Sequence, residues 1–219
     1  DLHLERRSLP LPELSADFDI LVCAGDMHEA EPEKSVRALV ELAQGKPVVA
    51  VLGAAMKRFA GRRDHFGARR VEAEMIRASG LFDPAWYLGQ NPDVVENKAD
   101  PLEHYLSFGD GEGRKPHPLV DVVWYRAQYP QIATAKMSVL AHFIGNAVSE
   151  RLSPSPLFDT DFYLRNNPDV AAASINPLVH YIQTGAAEGR NPHPLFETSW
   201  YLERNPDVAR MGDNPLEHF

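Results

Sequence analysis

From residue 82 onward the apolar and polar positions return with a fixed period. Residues 82–119 read FDPAWYLGQNPDVVENKADPLEHYLSFGDGEGRKPHPL, and residues 158–195 read FDTDFYLRNNPDVAAASINPLVHYIQTGAAEGRNPHPL. Between them, residues 120–157 form a worn copy, and a fourth begins at Phe196 and stops at Phe219, which reads as a fragment. The period is 38 residues with no insertion. Such spacing is the signature of stacked supersecondary units.

The pattern inside one copy predicts two short helices. Asp83 suits an N-cap and Pro84 the first helical position. Trp86, Tyr87 and Leu88 supply an apolar face, and Asn91-Pro92 ends the helix. The second helix opens at Asp100-Pro101, with Glu103 completing a capping box. Gly109 is expected at the left-handed position after its end. Helices this short cannot bury their own aromatics, so neighbouring copies are expected to share one core.

The first 81 residues follow a different pattern. FDILVCAG, residues 18–25, is an apolar run that delivers Asp26 at its end. Val36, Leu39, Val40 and Ala43 recur at helical spacing, and KPVVAVLG, residues 46–53, is a second apolar run. Strand, helix and strand predict one βαβ unit with parallel strands. The expected fold class is therefore mixed: a short α/β unit at 1–53, a basic helical linker at 54–81, and an all-α array of two-helix repeats at 82–119, 120–157, 158–195 and 196–219.

Charge divides the chain. Of 22 Lys/Arg and 31 Asp/Glu, residues 82–219 hold 10 and 18, which leaves them net −8 out of a total of −9. An acidic array repels phosphate backbones and argues against nucleic acid as a partner. From Lys57 to Arg77 the balance reverses, a run expected to be a solvated helix face. Its histidine, His65, is expected in a loop. No apolar run approaches the ~18 residues of a membrane span. The lone Cys23, taken as a buried small residue, and the lack of a visible leader point to a reducing, cytoplasmic setting.

Candidate chemistry comes from the repeated places. His104, His142, His180 and His218 share one position, and Trp86, Trp124, Phe162 and Trp200 another. Each copy offers one such histidine and no second ligand at metal-binding spacing, so the histidines are expected to be structural. His117 and His193 sit in His-Pro-Leu connectors and are expected in loops. The aromatics are expected in the core, the alternative being a platform that stacks on sugar faces. GDGEG at 109–113 lacks the preceding strand and the Gly-Lys-Ser/Thr of a phosphate loop. Glu-Gly-Arg at 112–114 and 188–190 is missing from the worn copy and is expected to be a dispensable loop feature.

Two resemblances follow from these residues. Phe82-Asp83, Trp86-Tyr87-Leu88, Asn91-Pro92-Asp93-Val94, Pro101-Leu102-Glu103-His104-Tyr105 and Glu112-Gly113-Arg114 resemble a repeat of bacterial multidomain proteins, often beside glycosyltransferases or in surface-polysaccharide proteins. Separately, DLHLE at 1–5, AGDM at 24–27 and PVVAVLG at 47–53 resemble three motifs of the calcineurin-like metallophosphoesterases. That family activates water with two divalent metals joined by a bridging carboxylate. The resemblance implies that Asp1 and His3 would hold one metal (Mn, Fe or Zn) and that Asp26 would bridge. The family's third motif continues with asparagine and histidine; here Ala54 and Ala55 stand instead, and methyl groups neither bind metal nor transfer protons. No residue is therefore assigned a catalytic role.

The expected function is that of a non-catalytic chain: an incomplete phosphoesterase-like segment joined to a helical-repeat module that binds a protein or a glycan, or spaces domains. One alternative is a metal-dependent phosphoester hydrolase completed by parts from another chain. The other is the repeat module of a glycan-handling bacterial protein.

Overall fold

The computed structural model describes residues 65–135 and 137–219. Their regular structure is helical, with no sheet; their β pairings are three isolated bridges, His117 with Val120, Ser155 with Phe158 and His193 with Phe196. The expected mixed α/β class is corrected on this finding: the described fold is all-α. The strands and helix expected within 1–53 lie outside the described residues.

Helix α1, His65–Ser79, precedes the repeats. His65, expected in a loop, is its first residue. Val71, Ala73, Met75 and Ile76 are buried, and the helix closes at Gly80 with φ +69°. The basic run thus includes a helix whose apolar face belongs to the core.

Each copy holds three short helical segments rather than two, a second correction. In copy 1 they are α2 (Pro84–Gln90), α3 (Pro92–Glu96) and α4 (Pro101–His104), the last running on as a π-helical turn, Tyr105–Gly109. Asn91-Pro92 ends α2 as expected, but it also starts α3, because proline's fixed φ and missing N–H suit a first helical position. The worn copy has α5 (Val122–Gln128), a 3₁₀ turn (Pro130–Thr134) and α6 (Val139–Glu150). Copy 3 repeats copy 1 with α7 (Thr160–Asn166), α8 (Pro168–Ala172) and α9 (Pro177–His180) plus the π turn Tyr181–Gly185. Copy 4 adds α10 (Thr198–Arg204), α11 (Pro206–Met211) and α12 (Pro215–His218).

The caps explain why such short segments form. Asp83 Oδ1 accepts from Ala85 N and Trp86 N, and Asp100 Oδ1 accepts from Glu103 N. Asp121 and Asp159 cap α5 and α7 in the same way, and Ser138, Asn176 and Asn214 cap the third segments. Each cap satisfies amide groups that would otherwise lack partners.

Glycine explains the π turns. A Cβ on Gly109 or Gly185 would collide with the hydroxyl of Tyr87 or Tyr163. The worn copy has Ala147 at this place, and its third segment is a regular α-helix of 12 residues. Gly109 is therefore not the left-handed residue expected; Gly113 takes that role (φ +76°), as do Gly189 and, in the worn copy, Arg151 at φ 52°.

A single core runs from Val71 to Leu216. The connectors lie side by side through it: Asp121 N donates to Pro154 O, and Asp159 N to Pro192 O, each at 3.0 Å. The winding is tight enough for non-adjacent copies to meet. Buried His117, near the end of copy 1, lies 3.6 Å from Glu217 of copy 4. Helix α1 packs on α6, where Glu72 Oε1 accepts from Ser138 N and Asp110 Oδ1 from Val139 N. Among the described residues no helix is long and apolar enough to cross a membrane.

Candidate functional site

The repeated residues meet one another. Tyr87 OH lies 3.0 Å from His104 Nδ1, and the same pairing joins Tyr125 to His142, Tyr163 to His180 and Tyr201 to His218 at 2.8–2.9 Å. Burial pushes the Tyr87 phenol up to about 12, and raises those of Tyr125 and Tyr163 further. The phenols of Tyr87, Tyr125 and Tyr163 thus keep their protons at neutral pH, and the direction of each tyrosine–histidine hydrogen bond follows the tautomer of its histidine. Each pair ties the first helix of a copy to its third.

Asparagine and arginine make the second tie. Asn91 Nδ2 donates to Tyr87 O at 2.7 Å and so closes α2. Its Oδ1 accepts from Arg114 Nη1 at 2.9 Å, and the same nitrogen reaches Asp93 Oδ1 at 2.8 Å. Arg114 Nε reaches Glu112 at 2.6 Å. Copy 3 reproduces the set: Arg190 Nη1 to Asn167 at 3.0 Å and to Asp169 at 2.9 Å, with Nε on Glu188. The guanidinium beside Asp93, and that beside Asp169, holds each carboxyl below its usual range.

The worn copy replaces this clamp as a unit. Leu152 stands for the arginine, Tyr129 for the asparagine and Gln131 for the aspartate. Leu152 is buried, and the Tyr129 ring packs on Tyr125 with centroids 4.7 Å apart. Tyr129 OH accepts from Ser153 N at 2.9 Å. Glu-Gly-Arg is therefore half of a contact whose other half is Asn-Pro-Asp, 21–23 residues earlier.

The aromatic places divide by one residue. Tyr87, Tyr125 and Tyr163 are fully buried, whereas Trp86, Trp124 and Phe162 are half-buried and Trp200 is exposed. The Trp200 ring carries the Arg204 guanidinium 5.4 Å from its centroid. Of the repeat histidines, His142 is buried, His104 and His180 are half-buried and His218 is exposed.

The connector histidines act as turn caps. His117 Nδ1 accepts from Leu119 N, and His193 Nδ1 from Leu195 N, each at 3.1 Å. In the worn copy Ser155 Oγ takes the same role toward Leu157 N. Burial pulls His117 down to about 4, so its contact with Glu217 is not an ion pair at neutral pH.

Asp1, His3 and Asp26 lie outside the described residues, as do Cys23, Ala54 and Ala55. Among the described residues, no group of three or more His, Cys, Asp or Glu is placed to hold a metal ion. The chain matches no family model, no curated protein and no solved structure.

Proposed function

We propose that the chain is non-catalytic: a helical-repeat interaction and spacer module carrying an N-terminal segment whose phosphoesterase-like residues, Asp1, His3 and Asp26, are vestigial. The observation that carries this reading is what the repeated polar residues do. In copies 1 and 3 tyrosine, histidine, asparagine and arginine are spent on one another, and the tyrosine–histidine tie recurs in all four copies, joining the segments of each. Stacking of such units builds one continuous core and an outer surface of repeated elements. The test is hydrolysis of phosphomonoester and phosphodiester substrates with Mn²⁺, comparing the chain with Asp26→Ala. Equal background rates are expected; turnover lost with Asp26→Ala would overturn the reading.

A second reading, a glycan-facing module, is favoured by the row of half-buried and exposed aromatics at Trp86, Trp124, Phe162 and Trp200. Aromatic faces of this kind stack on sugar rings. Titrating neutral and anionic oligosaccharides while following tryptophan fluorescence tests it. A saturable change that weakens with Trp200→Ala supports it, and a flat response discards it.

A further inference from the structure

Helix α1 belongs to the repeat. Ser79-Gly80-Leu81-Phe82-Asp83 matches Ser155-Pro156-Leu157-Phe158-Asp159, two periods of 38 residues later. Ser79 Oγ accepts from Leu81 N at 3.2 Å, as Ser155 Oγ does from Leu157 N at 3.4 Å. Leu81 and Leu119, one period apart, are both buried. Helix α1 thus stands where a copy places its third segment, and Glu72 falls at the place of Asp110. Both carboxylates are buried and meet consecutive amides at the start of α6: Glu72 Oε1 accepts from Ser138 N, and Asp110 Oδ1 from Val139 N, each at 2.8 Å. Their other partners differ. Asp110 also accepts from Tyr105 OH at 3.1 Å and is paired with the Arg126 guanidinium. One period before that tyrosine and that arginine stand Gly67 and Leu88, which offer neither hydroxyl nor cation.

We propose that Glu72 is a proton-controlled fastening for α1: the helix is seated on the array with a neutral carboxyl at this place and loosens when the carboxyl ionises. The groups facing Glu72 leave its charge unbalanced. On its own helix Arg69 donates from Nη2 to Ser107 Oγ, and copy 1 presents Asp110 and Tyr105. From α6 comes Ser138, and the histidine a turn further on, His142, is paired with Tyr125. Among the described residues no cation bonds to Glu72. An ionised carboxylate buried without a counter-ion and beside a like charge is costly, whereas the neutral acid is not. Burial first, and the Asp110 charge after it, accordingly raise the Glu72 carboxyl above its ordinary 4.5. Opening of α1 returns that carboxyl to water, so seating is full below about 4.5 and weakens as pH rises through the seated value. An opened α1 uncovers Val71, Ala73, Met75 and Ile76, all buried when it is seated.

The test is amide hydrogen exchange on the full chain at about pH 4 and about pH 8, corrected for the intrinsic pH dependence of exchange. The amides of Val71 to Ile76 should open severalfold more at the higher pH, and by a larger factor than those of Phe143 to Ala147 in α6. Glu72→Gln keeps an acceptor for Ser138 N without the charge, and it should hold α1 at its acid value at both pH values. A second measurement needs no variant: carbon NMR titration of the Glu72 carboxyl should give a midpoint above 4.5. Equal opening of α1 at both pH values would overturn the proposal, as would the same rise in Glu72→Gln. So would a rise shared equally by α6, which would mean that the whole array opens, or a Glu72 midpoint at or below 4.5.

Discussion

A buried hydroxyl where copy 3 meets the worn copy gives a test with a worked magnitude. Thr160 is fully buried, and its Oγ1 has no hydrogen-bond partner among the described residues. One copy later the equivalent hydroxyl, that of Thr198, donates to Arg190 O at 2.8 Å and lies 3.3 Å from Tyr181 OH, 17 residues earlier in the chain. At the same distance before Thr160 stands Phe143, which has no hydroxyl. The junction of copy 1 with the worn copy resolves the same place differently, with Val122 and with Tyr105 OH donating to Asp110 Oδ1 at 3.1 Å. Two substitutions therefore satisfy the site. Phe143→Tyr supplies the missing partner, and Thr160→Val removes the orphan. One net hydrogen bond is worth about 0.5–1.5 kcal/mol, and an unsatisfied buried polar group costs about 1–3 kcal/mol. Each single variant should thus gain about 1–2 kcal/mol. The double variant puts a tyrosine hydroxyl against a methyl group and should lose both gains, which gives a coupling of at least about 2 kcal/mol by double-mutant cycle. Urea unfolding followed by circular dichroism at constant m-value measures all four proteins. Additivity within about 0.5 kcal/mol would refute the argument, because independent sites add and a shared hydrogen bond does not.

Three further outcomes follow from the same geometry. Arg190→Leu alone should lower the melting temperature by leaving Asn167 and Asp169 unpaired, and the triple change N167Y/D169Q/R190L should recover it by reproducing the worn copy's apolar clamp; calorimetry decides. Lys98 and Ser174 hold left-handed backbone, φ 51° and 54°, at the place that Gly212 fills in copy 4. Lys98→Gly and Ser174→Gly should each stabilise by about 0.5–1 kcal/mol in urea unfolding, the left-handed strain relieved less the added chain entropy of glycine. Burial raises the Glu72 carboxyl above its ordinary 4.5. The folded state then holds a proton that the unfolded state releases, so stability from this group is full below about 4.5 and declines as pH rises through the folded value. Glu72→Gln should therefore stabilise the fold at neutral pH and make no difference at about pH 4, as read from melting curves at both.

Much of the array was legible because its signals are local. The period follows from alignment alone, and Asp83 and Asp100 announce their helices by capping chemistry. The shared core follows from segments too short to bury Tyr87 or Tyr105 by themselves. The third segment escaped because Asn91-Pro92 is a stop signal for α2 and a start signal for α3, and a rule applied once finds only the first. The π turns escaped because they depend on Gly109 meeting Tyr87, a contact between residues far apart in the chain. The division between Trp86 and Tyr87 needs the direction of the core, which adjacent aromatics do not reveal. The arginine clamp left a readable trace: the worn copy changes all three of its places together, those of Asn91, Asp93 and Arg114. Taken one place at a time, that trace reads as a loop that can be spared.

The meeting of His117 with Glu217 has a consequence for how many copies such an array requires. In an open solenoid each unit touches only its neighbours, and length can be trimmed one unit at a time at constant cost per unit. Here His117, in the connector at the end of copy 1, meets Glu217 in the third helix of copy 4. A chain with fewer copies would lose that contact, so the full set of contacts needs a minimum length, set by one closure of the winding. Beyond that length each added copy would bring two interfaces, one with the unit before it and one with a unit laid down earlier. Growth would then resemble coiling a rope on itself more than adding links to a chain.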